Sequence, residues 1–144
     1  MRRVVETEAV LGVGVLAVTT FLVATPPART TFAAPFSAKV AGTNADGGTI
    51  QVVLDVTPTR VGAQTLRVRT YGSDGAPLSF VGASGEITPE GGGAPVRATF
   101  TTDAAWEATA DGVVVPSAGR WKLTVQVRTD QTTDYAATTT YTVR

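Results

Sequence analysis

Residues Val4–Ala24, VVETEAVLGVGVLAVTTFLVA, restrict what this chain can fold into more than any other stretch. At about 1.5 Å per residue, an α-helix of that length spans roughly 30 Å, the thickness of a bilayer's hydrocarbon core. From Ala9 to Ala24 no side chain ionises. The polar residues there, Thr19 and Thr20, can bond back to helix carbonyls. Pro26 and Pro27 stop the helix, because proline lacks a donor and disfavours helix in the residue before it. The stretch has no polar face, which argues against a buried helix of a water-exposed core. A transmembrane helix is therefore expected within residues 1–25.

Charge sets the orientation. Arg2 and Arg3 precede the span, and only Arg29 follows it closely. The positive-inside tendency puts the N-terminus in the cytoplasm and residues 26 onward outside. A cleaved secretory signal is the rival reading. Glu6 and Glu8 are unusual in its basic segment, and prolines follow closely on the small-residue sites at Ala24 and Ala34. Gly12 and Gly14 form no G-x-x-x-G frame for helix association. The expected layout is a single pass in the cytoplasmic membrane, a Pro-rich linker over 26–35, and an extracytoplasmic domain over 36–144.

That leaves about 110 residues, enough for one domain with one core. Cysteine and histidine are absent. No disulfide or thiolate site is possible, so the core alone must hold the domain. Charges balance at 12 basic and 12 acidic residues, which gives no reason to expect a nucleic-acid surface or an acidic tail.

Alternation dominates the domain. In Thr49–Thr57, Ile50, Val52, Leu54 and Val56 fall on one face and Gln51, Asp55 and Thr57 on the other. In Arg120–Arg128, Trp121, Leu123, Val125 and Val127 alternate with Lys122, Thr124, Gln126 and Arg128. Both are the period-two signature of half-buried strands. Weaker versions cover Phe36–Val40, Ala63–Tyr71 and Tyr135–Val143. Leu78–Thr88 reads as one bulged strand or two short ones. Val96–Thr101 and Trp106–Ala110 read as a hairpin around Thr102–Ala105, with Val113–Val115 as a separate short strand. Asp74-Gly75 is a tight-turn dipeptide. The expected fold is all-β, an immunoglobulin-like antiparallel sandwich of seven to nine strands, with a small barrel as runner-up.

The same residues offer little chemistry. A Ser/His/Asp or Cys/His arrangement cannot be assembled here. Asp46, Asp74, Asp103, Asp111, Asp130 and Asp134 are possible calcium ligands, but no D-x-[DN]-x-[DN]-G loop holds them. Asp130 and Asp134 share a turn and read as a solvated hairpin. Glu86 and Glu90 flank a proline in a Gly-rich stretch and are weak candidates for acid–base work. Gly91–Gly93 lacks the ending of a phosphate loop. Arg60, Arg67 and Arg69 form the nearest thing to a basic face, with Asp55 placed to pair with one of them. Trp106 and Trp121 are expected as core anchors. No catalytic, cofactor-binding or metal-ligating residue is assigned, and the chain is not expected to be an enzyme.

Three segments carry a resemblance. RRVVETEAVLGVGVLAVTTFLVATPPAR resembles the last transmembrane helix and exit segment of copper resistance protein D-type transporters, especially their fusions with copper resistance protein C. VTPTRVGAQTLRVRTYGSDGAPL, with Pro58, Arg60, Gly62, Gly75 and Pro77, resembles a run in that family's extracytoplasmic domain. SAGRWKLTVQVRTD, with Gly119, Trp121, Leu123, Val125, Val127 and Arg128, resembles its G-x-W-x-L-x-V-x-V-R segment. The domain is also similar to the small sandwich domains called YtkA-like or FixH-like. The resemblance implies membrane copper uptake or tolerance. The family's copper ligands are His and Met residues elsewhere in those transporters, so none carries over to this chain. The implied role is an accessory domain that docks on a membrane copper transporter or a copper-carrier protein, binding no copper itself. A copper-unrelated cell-surface interaction or adhesion module is the alternative. Neither nucleic acid nor a small-molecule substrate is expected.

Overall fold

The computed structural model describes residues Ala33–Arg144. The helix expected over Val4–Ala24 and most of the linker lie outside the described residues. Among the described residues no helix is long and apolar enough to cross a membrane.

Nine strands form where branched and aromatic residues alternate with polar ones. They are β1 (Phe36–Thr43), β2 (Thr49–Thr57), β3 (Gly62–Tyr71), β4 (Gly82–Pro89), β5 (Val96–Thr99), β6 (Thr101–Ala104), β7 (Glu107–Val115), β8 (Gly119–Arg128) and β9 (Asp134–Val143). All pairings are antiparallel, in the order β5-β4-β8-β9-β1-β2-β3-β7-β6. The β1–β9 junction is the thin one, a single register pair at Thr43 and Ala136. By contrast, β8 and β9 run in register from Gly119 opposite Val143 to Arg128 opposite Asp134.

The alternation reads through into packing. Ile50, Val52, Leu54 and Val56 of β2 are buried, as are Trp121, Leu123, Val125 and Val127 of β8. They join Leu66, Val68, Ile87, Ala98, Ala108 and Val143 in one core fed by both halves of the strand order. Fully burying a Val or Leu side chain contributes about 1.5–3 kcal/mol, so these two strands carry a large share of the stability.

The middle of the chain corrects the sequence-based hairpin. Of Val96–Thr101, only Thr101 pairs with Trp106–Ala110, opposite Thr109. The chain leaves the ladder at Phe100, so Val96–Thr99 pairs with β4 while Thr101–Ala104 pairs with β7. Phe100 packs against the core and over Gly85, where a Cβ would lie 2.9 Å from the Phe100 ring. One residue thus links the two strands that end the strand order. Val113–Val115 is likewise not a separate strand. It continues β7 through Asp111 and Gly112, which together oppose Thr65 as a bulge. Gly112 takes a positive φ of 67°, which suits glycine. Leu78–Val81, read as part of a strand, instead crosses from β3 to β4. It is held by bonds from Leu78 N–H to Thr70, Phe80 N–H to Ala105 and Val81 N–H to Arg128.

Several chain segments converge near Thr59. Its hydroxyl donates to the Ala34 carbonyl at 2.7 Å, and its own carbonyl accepts from the Arg144 N–H at 3.1 Å. Val61 N–H donates back to the Arg144 carbonyl. The chain therefore enters the domain beside its last strand. The turns after β1, β3, β6 and β8 lie at the opposite end of the strands, as the antiparallel registers require.

Candidate functional site

The two outward sides of the sheet are built from the residues that alternate with the core, and they treat charge differently. On β2, β3 and β7 the outward positions include Asp55, Arg67, Arg69 and Glu107. Register places Asp55 opposite Arg67 and Arg69 opposite Glu107. Arg69 Nη2 donates to Asp55 Oδ2 at 2.6 Å, and Arg67 Nε lies 3.9 Å from Glu107. The hydrogen bond to Asp55 raises the Arg69 pKa further above its ordinary value, against the opposing effect of burial. Arg69 Nε lies 4.0 Å from Glu107 and has no hydrogen-bond partner. The expected partnership of Asp55 with this basic face is thus made with Arg69. Arg60 does not join it. It sits before β3, where its carbonyl accepts from the Gln64 amide at 2.9 Å.

The other outward side, on β5, β4 and β8, is a polar sheet surface with a shallow groove of about 430 Å³. Ser84, Glu86 and Thr88 of β4 form its floor. Lys122, Thr124 and Gln126 of β8 line one flank, and Arg97 of β5 the other. Register sets the rows: Arg97, Glu86 and Thr124 lie abreast, and Thr88 lies beside Lys122. Arg120 and Arg128 bound this side and are paired, Arg120 with Glu90 at 3.0 Å and Arg128 with Asp134 at 2.9 Å. Arg97 and Lys122 form no ion pair among the described residues, and Glu86 accepts a long bond of 3.4 Å from Thr88. Two cations and one anion therefore face solvent from a strand-paired floor. The arrangement can bind charged groups and donate hydrogen bonds from several hydroxyls.

Most of the remaining sequence candidates have structural partners. Asp130 accepts from the Thr132 and Thr133 N–H groups and the Thr132 hydroxyl, which hold its carboxyl below the usual carboxylate range. Asp134 pairs with Arg128, so the two aspartates act separately. Asp74 accepts from Ala76 N–H, Asp111 from the Thr65 hydroxyl, and Asp103 from the Thr109 hydroxyl. Among the described residues no three potential ligands gather as a metal-binding group. Glu86 lies on β4 and accepts from Thr88, whereas Glu90 lies in the turn beyond Pro89 and pairs with Arg120, so the two carboxylates are engaged separately.

The tryptophans divide. Trp121 is 2% exposed, a core anchor as expected, with its indole N–H donating to the Ser117 carbonyl. Trp106 is not in the core. It occupies the β6–β7 turn, half-buried, its ring 5.9 Å from that of Tyr71. A turn position takes it off the inward-facing row.

One buried polar connection was not legible in the sequence. Gln64, on the inward row of β3, is 1% exposed and accepts from the Tyr141 hydroxyl at 2.9 Å. Burial pushes the Tyr141 pKa up to about 12. The pair joins β3 to β9 across the core, and both partners are satisfied. Comparison with protein-family models, curated proteins and solved structures gives no match.

Proposed function

We propose that this chain is a membrane-anchored, extracytoplasmic accessory module of a copper transport or resistance system, acting by docking rather than by catalysis. We read its nine-stranded sheet as an immunoglobulin-like sandwich. The observation that carries the docking reading is the placement of the domain's ends. The chain enters beside Thr59, and the opposite end of the strands bears the turns Thr43–Thr49, Tyr71–Gly82 and Arg128–Asp134. A module tethered through Ala33–Pro35 presents those turns and its outward sheet faces to whatever lies beyond. The copper assignment is supported by the resemblance of the Pro58–Pro77 and Gly119–Arg128 runs. The anchor is supported by the apolar Val4–Ala24 stretch.

Three experiments test this. The chain has no cysteine, so a single Ser117→Cys variant reports topology with a membrane-impermeant maleimide. Labelling in intact spheroplasts is expected, and labelling only after lysis overturns the orientation. Deleting the chain's gene is expected to change cellular copper content, and unchanged content favours a copper-unrelated surface module. Titration of the full chain in detergent with Cu(I) and Cu(II) is expected to show no stoichiometric site. Tight one-to-one binding would replace docking with copper carriage.

A further inference from the structure

We propose that the groove on β5, β4 and β8 docks an extended peptide segment of a partner protein in which acidic side chains flank a basic one. This deepens the docking function by naming the surface and the chemistry it reads.

Charge order carries the argument. Crossing the strands from β5 through β4 to β8, the groove presents Arg97, then Glu86, then Lys122. Adjacent strands lie about 4.8 Å apart and alternate residues about 6.6 Å along a strand, so the three charges fall within the reach of a short extended segment. Every other basic side chain on β8 is neutralised by a neighbour, Arg120 by Glu90 and Arg128 by Asp134. Arg97 and Lys122 have no such partner among the described residues. Glu86, directly abreast of Arg97, forms no ion pair with it within 4.0 Å, although register would permit one.

The groove's sign pattern also selects among ligands. A uniform polyanion meets Glu86 in the floor, where like charges repel. An apolar segment finds no apolar side chain to pack against, since Ser84, Thr88, Thr124 and Gln126 surround the charges. A segment with carboxylates at the flanks and a cation between them meets all three groups with opposite sign. The hydroxyls then donate to or accept from its backbone. Arg97 favours a carboxylate because its planar guanidinium offers paired donors. A second depression has one cation, Lys39, and one anion, Asp74, in its lining, and so lacks the cation–anion–cation order.

The test uses the isotope-labelled full chain in detergent solution and four probes: the peptide SESKSES, its charge-reversed counterpart SKSESKS, the peptide SESSSES without the central lysine, and inorganic polyphosphate. SESKSES is expected to shift the amide resonances of Ser84, Glu86, Lys122 and Thr124 saturably, and to weaken as salt is raised. The paired substitution Arg97→Gln with Lys122→Gln is expected to lower its affinity at least about tenfold, since exposed substitutions of this kind leave the fold intact. Glu86→Gln is expected to make a peptide without the central lysine bind as well as SESKSES. Equal binding of SESKSES and SKSESKS, tighter binding of polyphosphate, or no saturable shift on β4 and β8 overturns the proposal. A failure here with a retained effect on cellular copper refutes this surface and leaves the transport role standing.

Discussion

The two outward sides of the sheet share one core and differ in how their charges are spent. On β2, β3 and β7, Arg69 sits between Asp55 and Glu107, and Arg67 lies beside the same glutamate. That side satisfies itself. On β5, β4 and β8, Arg97 and Lys122 point into a groove beside Glu86. Stability does not explain the second arrangement, because unpaired surface charges contribute almost nothing to folding. The difference teaches that neutral net charge hides an uneven distribution. A chain with 12 basic and 12 acidic residues still offers one self-contained face and one open one.

The comparison can be broken at its base by attacking the shared core. Trp121→Ala is expected to cost about 3–5 kcal/mol in chemical denaturation. Because both sides rest on the same core, amide exchange should quicken on β2 and β3 as much as on β4 and β8. Loosening confined to one side would mean the halves are stabilised separately. The Tyr141–Gln64 link between the halves gives a pH signature. Burial favours the neutral phenol, so its contribution is complete below the unfolded pKa of 10 and lost as pH rises through about 12. At about 1.4 kcal/mol per unit, wild type should lose up to about 3 kcal/mol over that window relative to Tyr141→Phe. Parallel alkaline melts would sink the idea.

Smaller effects sharpen the contrast. Gly85→Ala puts a methyl against the Phe100 ring and is expected to cost about 1–3 kcal/mol, partly recovered by Phe100→Leu. Arg69→Gln should destabilise by about 1 kcal/mol, since it strips Asp55 of its bonded partner. Lys122→Gln should change stability by less than about 0.5 kcal/mol. If Lys122 matters to folding as much as Arg69 does, the two faces are not distinct after all.

The sequence made much of this fold readable and little of its surface. The β2 expectation matched residue for residue, and that for β8 missed by one, because period-two alternation over nine or ten residues has a single physical interpretation. Gln64 escaped notice because a polar residue on an inward row looks like an interruption until its partner, 77 residues away, is in place. The Phe100 break was unreadable for a similar reason. Nothing local says that Val96–Thr99 prefers β4 to its own neighbour in sequence. The groove follows from that break: Lys122 was legible as an outward charge on β8, Arg97 carried no signal of its own, and only the β5–β4–β8 pairing brings them to one trench.

The single-residue link at Phe100 also bears on what the two end strands offer to stray backbone in crowded surroundings. The strands that end the order are each four residues long, and the first stops one residue before the second begins. A stranger's strand arriving at either border finds about 13 Å of backbone to copy before the template turns away. Such stubs make poor seeds for runaway strand-on-strand growth. Recognition is thereby left to side chains, which can refuse a wrong neighbour in a way that bare backbone cannot.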